Sequence, residues 1–250
     1  MPPRFAYSLC MLLSLGVFFW ARHFVPRPVG LTLVPWWKRG LLVLAGFIGG
    51  ALGAKLPFAL GASEGPLTPA AWFRDGKTIT TGLMGAYLGV EIAKALLKIR
   101  IKTGDSFALP LALALAVGRW GCFFNGCCYG VETNLPWGVD FGDGVCRHPT
   151  QAYESLFHLS MAVVLWNLLR RRTLPCQHLK LYLIAYGMYR FATEFIRPEP
   201  EYWLNLTFYQ WISLVLIAGL VAQWLVDGRF IVSRSPNSFQ SKTINEPQLS

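Results

Sequence analysis

Seven stretches of roughly twenty mainly apolar residues, separated by short polar and basic segments, set the terms on which this chain folds. They cover about 5–22, 40–60, 79–97, 107–126, 152–170, 179–196 and 207–226. Crossing ~30 Å of hydrocarbon takes about twenty helical residues. Inside lipid, every backbone N–H and C=O must find its partner within the segment or in a closed barrel. Runs of this length therefore predict an all-α, polytopic membrane protein with about seven transmembrane helices. Charged residues make up 14% of the chain, against ~25% in soluble domains. Residues 1–228 are expected to form one transmembrane domain. The polar stretch 229–250, ending SRSPNSFQSKTINEPQLS, is expected to be a disordered cytoplasmic tail. The first run resembles a signal peptide, but Arg22 and His23 follow it with no small-x-small cleavage site, so it is read as a retained helix.

The net charge of +10 does not point to nucleic acid, because the basic residues lie between the apolar runs, where membrane proteins keep topogenic charge. Fourteen Lys and Arg fall on one side of the seven spans and five on the other. The positive-inside rule then puts the N-terminus outside and the C-terminus in the cytoplasm. The segment 131–149, the segment after Arg197 and the segment around Arg74 to Lys77 share the outer face.

Two arginines lie within spans at informative places. GRWGCFFNGCCYG (118–130) carries Arg119 at the end of an apolar run, and Arg190 lies in the sixth span. An ionisable group at membrane depth costs at least ~2.5–3.5 kcal/mol and is a functional hypothesis by default. Glu194 follows Arg190 by one helical turn and is its natural partner. Arg119 has no acid within a turn along the sequence. A lipid phosphate entering from the outer leaflet suits it, since a guanidinium donates two parallel hydrogen bonds to such an anion. Glycines 118, 121, 126 and 130 would let the chain turn there. In RHPTQAYES (147–155), Pro149 signals a helix start with Thr150 or His148 near the N-cap. Glu154 then has an ordinary explanation as a carboxylate near a helix N-terminus.

Together these residues resemble the prolipoprotein diacylglyceryl transferase family. GRWGCFFNGCCYG is similar to the family signature G-R-x-G-N-F-x-N-G-E-x-x-G. RHPTQAYES resembles R-H-P-S-Q-L-Y-E, and YGMYRFATEFIRPEP (186–200) resembles Y-G-x-x-R-x-x-x-E-F-x-R. TFYQWISL (207–214) is close to M-G-Q-x-x-S. The order and spacing match across roughly residues 35 to 225. The resemblance implies a bacterial inner-membrane, multi-pass enzyme. Such an enzyme moves the diacylglyceryl group of phosphatidylglycerol to a lipobox cysteine thiol of a prolipoprotein. It implies catalytic roles for Arg190 and Tyr186, and substrate-binding roles for Arg119, Asn125, Gln151, Glu154, Glu194 and Arg197; His148 matches a position that frames the cavity and by its chemistry is the candidate catalytic base. Its partners would be phosphatidylglycerol, a prolipoprotein or other thiol acceptor, and the membrane, without nucleic acid. No cofactor and no metal are expected.

The chain departs from the family pattern where thiols are handled. The family's H-G-G segment aligns with Thr80, Thr81 and Gly82. Its signature asparagine is Cys122 here, and its glutamate is Cys127. A different acceptor, or a non-catalytic lipid-binding protein, therefore stays open. Cys122, Cys127, Cys128, Cys146 and His148 also allow a metal or redox site, although C-x4-C-C is not a standard zinc spacing. Cysteines packed as small hydrophobes are the plain alternative.

Overall fold

The computed structural model describes residues 3–26, 28, 30–59 and 78–232. The segment around Arg74 to Lys77 and the tail from 233 onward lie outside the described residues. Seven α-helices are present among them: α1 (Pro3–Phe24), α2 (Trp36–Ala59), α3 (Ile79–Leu96), α4 (Asp105–Phe124), α5 (Thr150–Arg171), α6 (His178–Thr193) and α7 (Phe208–Val232). A 3-10 turn, Glu194–Ile196, prolongs α6. Two strands of two residues each, β1 (Val139–Asp140) and β2 (Cys146–Arg147), pair antiparallel in the segment before α5, a small addition to an otherwise helical chain.

Among the described residues, five helices are long and apolar enough to cross a membrane: those at Phe5–Phe24, Trp36–Pro57, Asp105–Phe124, Thr150–Arg171 and Phe208–Asp227. The two remaining expected spans do form helices. However, α6 has only 16 residues before its 3-10 extension, and α3 carries a Glu91–Lys94 ion pair at 2.8 Å. Length and composition alone thus support five crossings, fewer than the seven expected from the apolar runs.

Helix α4 is the axis of the bundle. In its crossing window 44% of residues are buried, against 6% in α1. It packs against α1 and α5 and touches α6, while α6 packs on α7. Alanines on α4 make these approaches possible: Ala108 and Ala112 join Ala162 and Leu165 of α5, Tyr182 and Leu183 of α6, and Leu216 and Leu220 of α7 in one core cluster. Large apolar side chains such as Phe19, Phe47, Ile92, Val163 and Leu225 point outward. In water that would be a liability; in a bilayer it is the lipid-facing surface.

Helices α2 and α3 meet backbone to backbone. A methyl group at Gly49 would overlap the Gly85 carbonyl, and one at Gly85 would overlap the Gly49 carbonyl. Lipid supplies no hydrophobic drive between helices, so close van der Waals approach through small residues takes its place. At one end of the bundle, Asp227 of α7 binds Lys102 at 2.6 Å and also Lys180 of α6. Asp105 accepts the backbone N–H of His178 at 2.9 Å. These contacts tie α4, α6 and α7 together at the end opposite Arg119.

Candidate active site

The C-terminal end of α4, the N-terminal end of α5 and the C-terminal end of α6 converge. Each brings one block of the unusual sequence. Glu154 of α5 is 1% exposed and sits at the centre. Its Oε2 lies 2.6 Å from Arg119 Nη2 and 3.4 Å from Arg197 Nη2. Its Oε1 accepts the Tyr186 hydroxyl at 2.7 Å. Arg119 therefore has an acid after all, supplied by another helix 35 positions along the chain. Glu154 is correspondingly more than a helix-terminal carboxylate, because it is the hub that makes a buried arginine affordable. Beside it, Arg190 donates to Glu194 at 2.9 Å, the one-turn pair expected from spacing, and both residues are buried. Past the 3-10 turn, Glu199 has its carboxyl pushed up by burial and by the neighbouring Glu194.

Sequence reasoning missed His158, Tyr182 and Tyr189. His158 is fully buried one turn after Glu154; one nitrogen meets the Tyr182 hydroxyl at 2.8 Å and the other lies 3.8 Å from Glu154. The spacing Glu154–His158 could have revealed it. The tyrosines come from α6, and their approach depends on how α5 and α6 pack. Three guanidinium Nε–H groups, those of Arg119, Arg190 and Arg197, are buried without a hydrogen-bond partner among the described residues, as is the Tyr189 hydroxyl.

The segment linking α4 to the site has a definite local cause. Asn125 is the C-cap of α4 and Gly126 follows at φ 63°. Cys127 N–H bonds the Cys122 carbonyl at 3.1 Å, and Gly126 N–H bonds the Phe123 carbonyl at 3.1 Å. This is a Schellman closure, which needs a left-handed residue and so favours glycine. It folds Cys127 back over Cys122. Helix α5 then pins the turn: Gln151 Nε2 donates to the Cys127 carbonyl at 2.5 Å, and Thr150 Oγ1 to the Cys128 carbonyl at 2.6 Å. Thr150 lies next to the N-cap, as the first residue of α5. Pro149 holds the N-cap position, without a side-chain cap bond. At Gly130 any side chain would collide with the Ile196 carbonyl, His148 and Thr150, because three segments cross there.

The expected site residues divide in two. Arg119, Glu154, Tyr186, Arg190, Glu194 and Arg197 form one buried polar cluster. Gln151 anchors the turn beneath it, and Asn125 is exposed on that turn. His148 stands apart, its Nδ1 3.3 Å from the Tyr153 hydroxyl. Tyr153 also accepts Trp137 Nε1–H at 2.8 Å. Thr80 is buried in the first turn of α3. Of the cysteines, Cys122, Cys127 and Cys128 gather, with all three Sγ atoms within 4.8 Å of one another. Cys146, on β2, is exposed and free, apart from these three.

The architecture is that of a helical membrane bundle with three arginines and two glutamates gathered at one end. The sequence pattern of the prolipoprotein diacylglyceryl transferases matches residues 5–226, and the chain belongs to that family. A phosphatidylglycerol–prolipoprotein diacylglyceryl transferase of Finegoldia magna is 38% identical over 125 residues, 49% of this chain and 50% of that protein. One of Clostridioides difficile is 37% identical over 123 residues, 49% of each chain. In these two matches the chain spans about half the relative's length. One of Cupriavidus metallidurans is 30% identical over 238 residues, 87% of each. Family membership and the crossing helices make this a multi-pass protein of the bacterial inner membrane.

Proposed function

We propose that this chain is a phosphatidylglycerol–prolipoprotein diacylglyceryl transferase, with its N-terminus outside, its C-terminus in the cytoplasm and all seven helices crossing. The observation that carries the reading is the buried cluster of three arginines against two glutamates. Its fixed members hold one more positive charge than negative, and its unpartnered Nε–H donors suit a single phosphate. Transfer requires the acceptor thiolate to attack the glyceryl carbon bonded to phosphate oxygen. The C–S bond forms, the C–O bond breaks, and glycerol phosphate departs with the electron pair. Charge moves onto the leaving phosphate, so cations already fixed in a water-poor site stabilise the transition state without reorganising.

In this scheme Arg119 and Arg197 hold the phosphate, and Glu154 sets the position of both. Arg190 is held by Glu194 and takes the growing charge, with the Tyr186 hydroxyl alongside. Gln151 and Asn125 fix the turn that borders the headgroup. His148 receives the proton of the acceptor thiol in place of the histidine that Thr80 replaces. The test is direct. Purified protein in phosphatidylglycerol vesicles, given a lipobox peptide, is expected to release glycerol phosphate and to add a diacylglyceryl mass to the peptide cysteine. Release of none, from folded protein that complements no transferase-depleted strain, refutes the reading.

A further inference from the structure

We propose that Cys122, Cys127 and Cys128 form a three-thiolate site for one zinc ion, with its fourth position open to an external thiol. Three sulfurs on one short turn already lie within 4.8 Å of one another. Zinc–thiolate bonds of ~2.3 Å arranged tetrahedrally put the sulfurs about 3.8 Å apart, so only small side-chain rotations separate this arrangement from a bound state. The scaffold is also prepared. The Schellman closure at Gly126 stacks Cys127 on Cys122, and Cys128 holds a left-handed conformation at φ 64°. Gln151 and Thr150 grip the carbonyls of Cys127 and Cys128 from α5, fixing the backbone from which two ligands hang. Arg119 Nη1, 3.7 Å from Cys122 Sγ, places a cation against the thiolate that metal binding requires.

Three protein ligands leave zinc one coordination position, the arrangement of catalytic rather than structural sites. Cys122 and Cys127 are half-buried and Cys128 is exposed, so the cluster borders the protein surface. Thiolate ligands select soft or borderline cations over magnesium or calcium. Binding releases the three thiol protons. A further thiol entering the fourth position is deprotonated outright by the metal. If the chain is the transferase proposed above, that thiol is the acceptor cysteine. Zinc then makes its thiolate, and the displaced proton passes to His148 or water.

The test uses the full chain in detergent, with cobalt(II) as a visible stand-in for zinc. Wild type and Cys146→Ser are expected to bind one equivalent, with a sulfur-to-cobalt charge-transfer band. The triple variant Cys122→Ser, Cys127→Ser, Cys128→Ser is expected to lose the band. Because that variant could misfold, wild-type protein is also alkylated with and without zinc. Zinc should protect these three cysteines at least tenfold, while Cys146 and Cys176 react unchanged. A cysteine-containing lipobox peptide should then shift the cobalt d–d bands, and its serine version should not. No stoichiometric metal on wild type, equal binding by a folded triple variant, or an unshifted spectrum with the cysteine peptide overturns the inference. Glycerol phosphate release by metal-free protein refutes the zinc role and leaves the transferase reading standing. A protein that binds metal and peptide thiol but releases nothing refutes the transferase reading instead.

Discussion

At the scale of single residues, Arg119 and Glu154 carry the heaviest consequences. Arg119→Lys keeps a cation but loses the fork that can hold Glu154 and a phosphate at once. Transfer is expected to fall nearly as far in Arg119→Lys as in Arg119→Ala, tenfold or more. Phosphatidylglycerol binding, measured alongside thermal stability, checks this; a folded Arg119→Ala protein that binds the lipid like wild type excludes the phosphate role. Glu154→Gln keeps the shape but strands the cations of Arg119 and Arg197. Removing one member of a buried ion pair costs about 3–5 kcal/mol. The expected outcome is a large drop in Tm in detergent, and an unchanged Tm means the hub does not hold the site. The pairing of Arg190 with Glu194 was legible in the sequence because one helical turn fixes it. The pairing of Arg119 with Glu154 was not, because it depends on two helices meeting.

At the scale of elements, the contrast between two glycines tests how helices associate here. Gly85 faces Gly49 across the α2–α3 contact with no space for a side chain, whereas Gly16 on α1 has nothing within 4 Å of an added methyl. Gly85→Leu is expected to separate the helices and lower Tm strongly. Gly16→Ala is expected to be neutral, or to raise stability by about 0.4–1 kcal/mol, since alanine gives up less backbone freedom on folding. Equal effects at the two positions would show that packing through small residues does not join α2 to α3. That α2 and α3 face each other through these glycines required the folded chain. The same holds for the turn 125–128. Its glycines foretold a turn, but its fixing by Gln151 and Thr150 did not follow from spacing, and Thr150, next to the N-cap as expected, also clamps Cys128.

For the whole molecule, the orientation inferred from charge has a clear readout. A reporter active only in the cytoplasm is expected to work when fused after Asp227 and to be silent when inserted between residues 131 and 149. The opposite pattern would place the arginine cluster on the inner face and remove the outer-leaflet lipid as substrate. The bundle is polarised whichever way it sits: Asp227 with Lys102 and Lys180 closes one end, and the arginines with Glu154 and Glu194 occupy the other.

The sequence by itself determined the helical class, the positions of the helices to within a few residues, the family, and which charged side chains stand out within the apolar runs. These follow from local rules, because hydrocarbon thickness sets run length and the cost of buried charge singles out Arg119 and Arg190. Only the tertiary structure decided that one carboxylate serves two arginines and a tyrosine, that His158 joins them, and that three cysteines converge while a fourth stands apart. Those contacts come from separate helices and turns. Their distances are set by how alanine and glycine faces allow α4, α5 and α6 to approach, which no spacing along a single segment encodes.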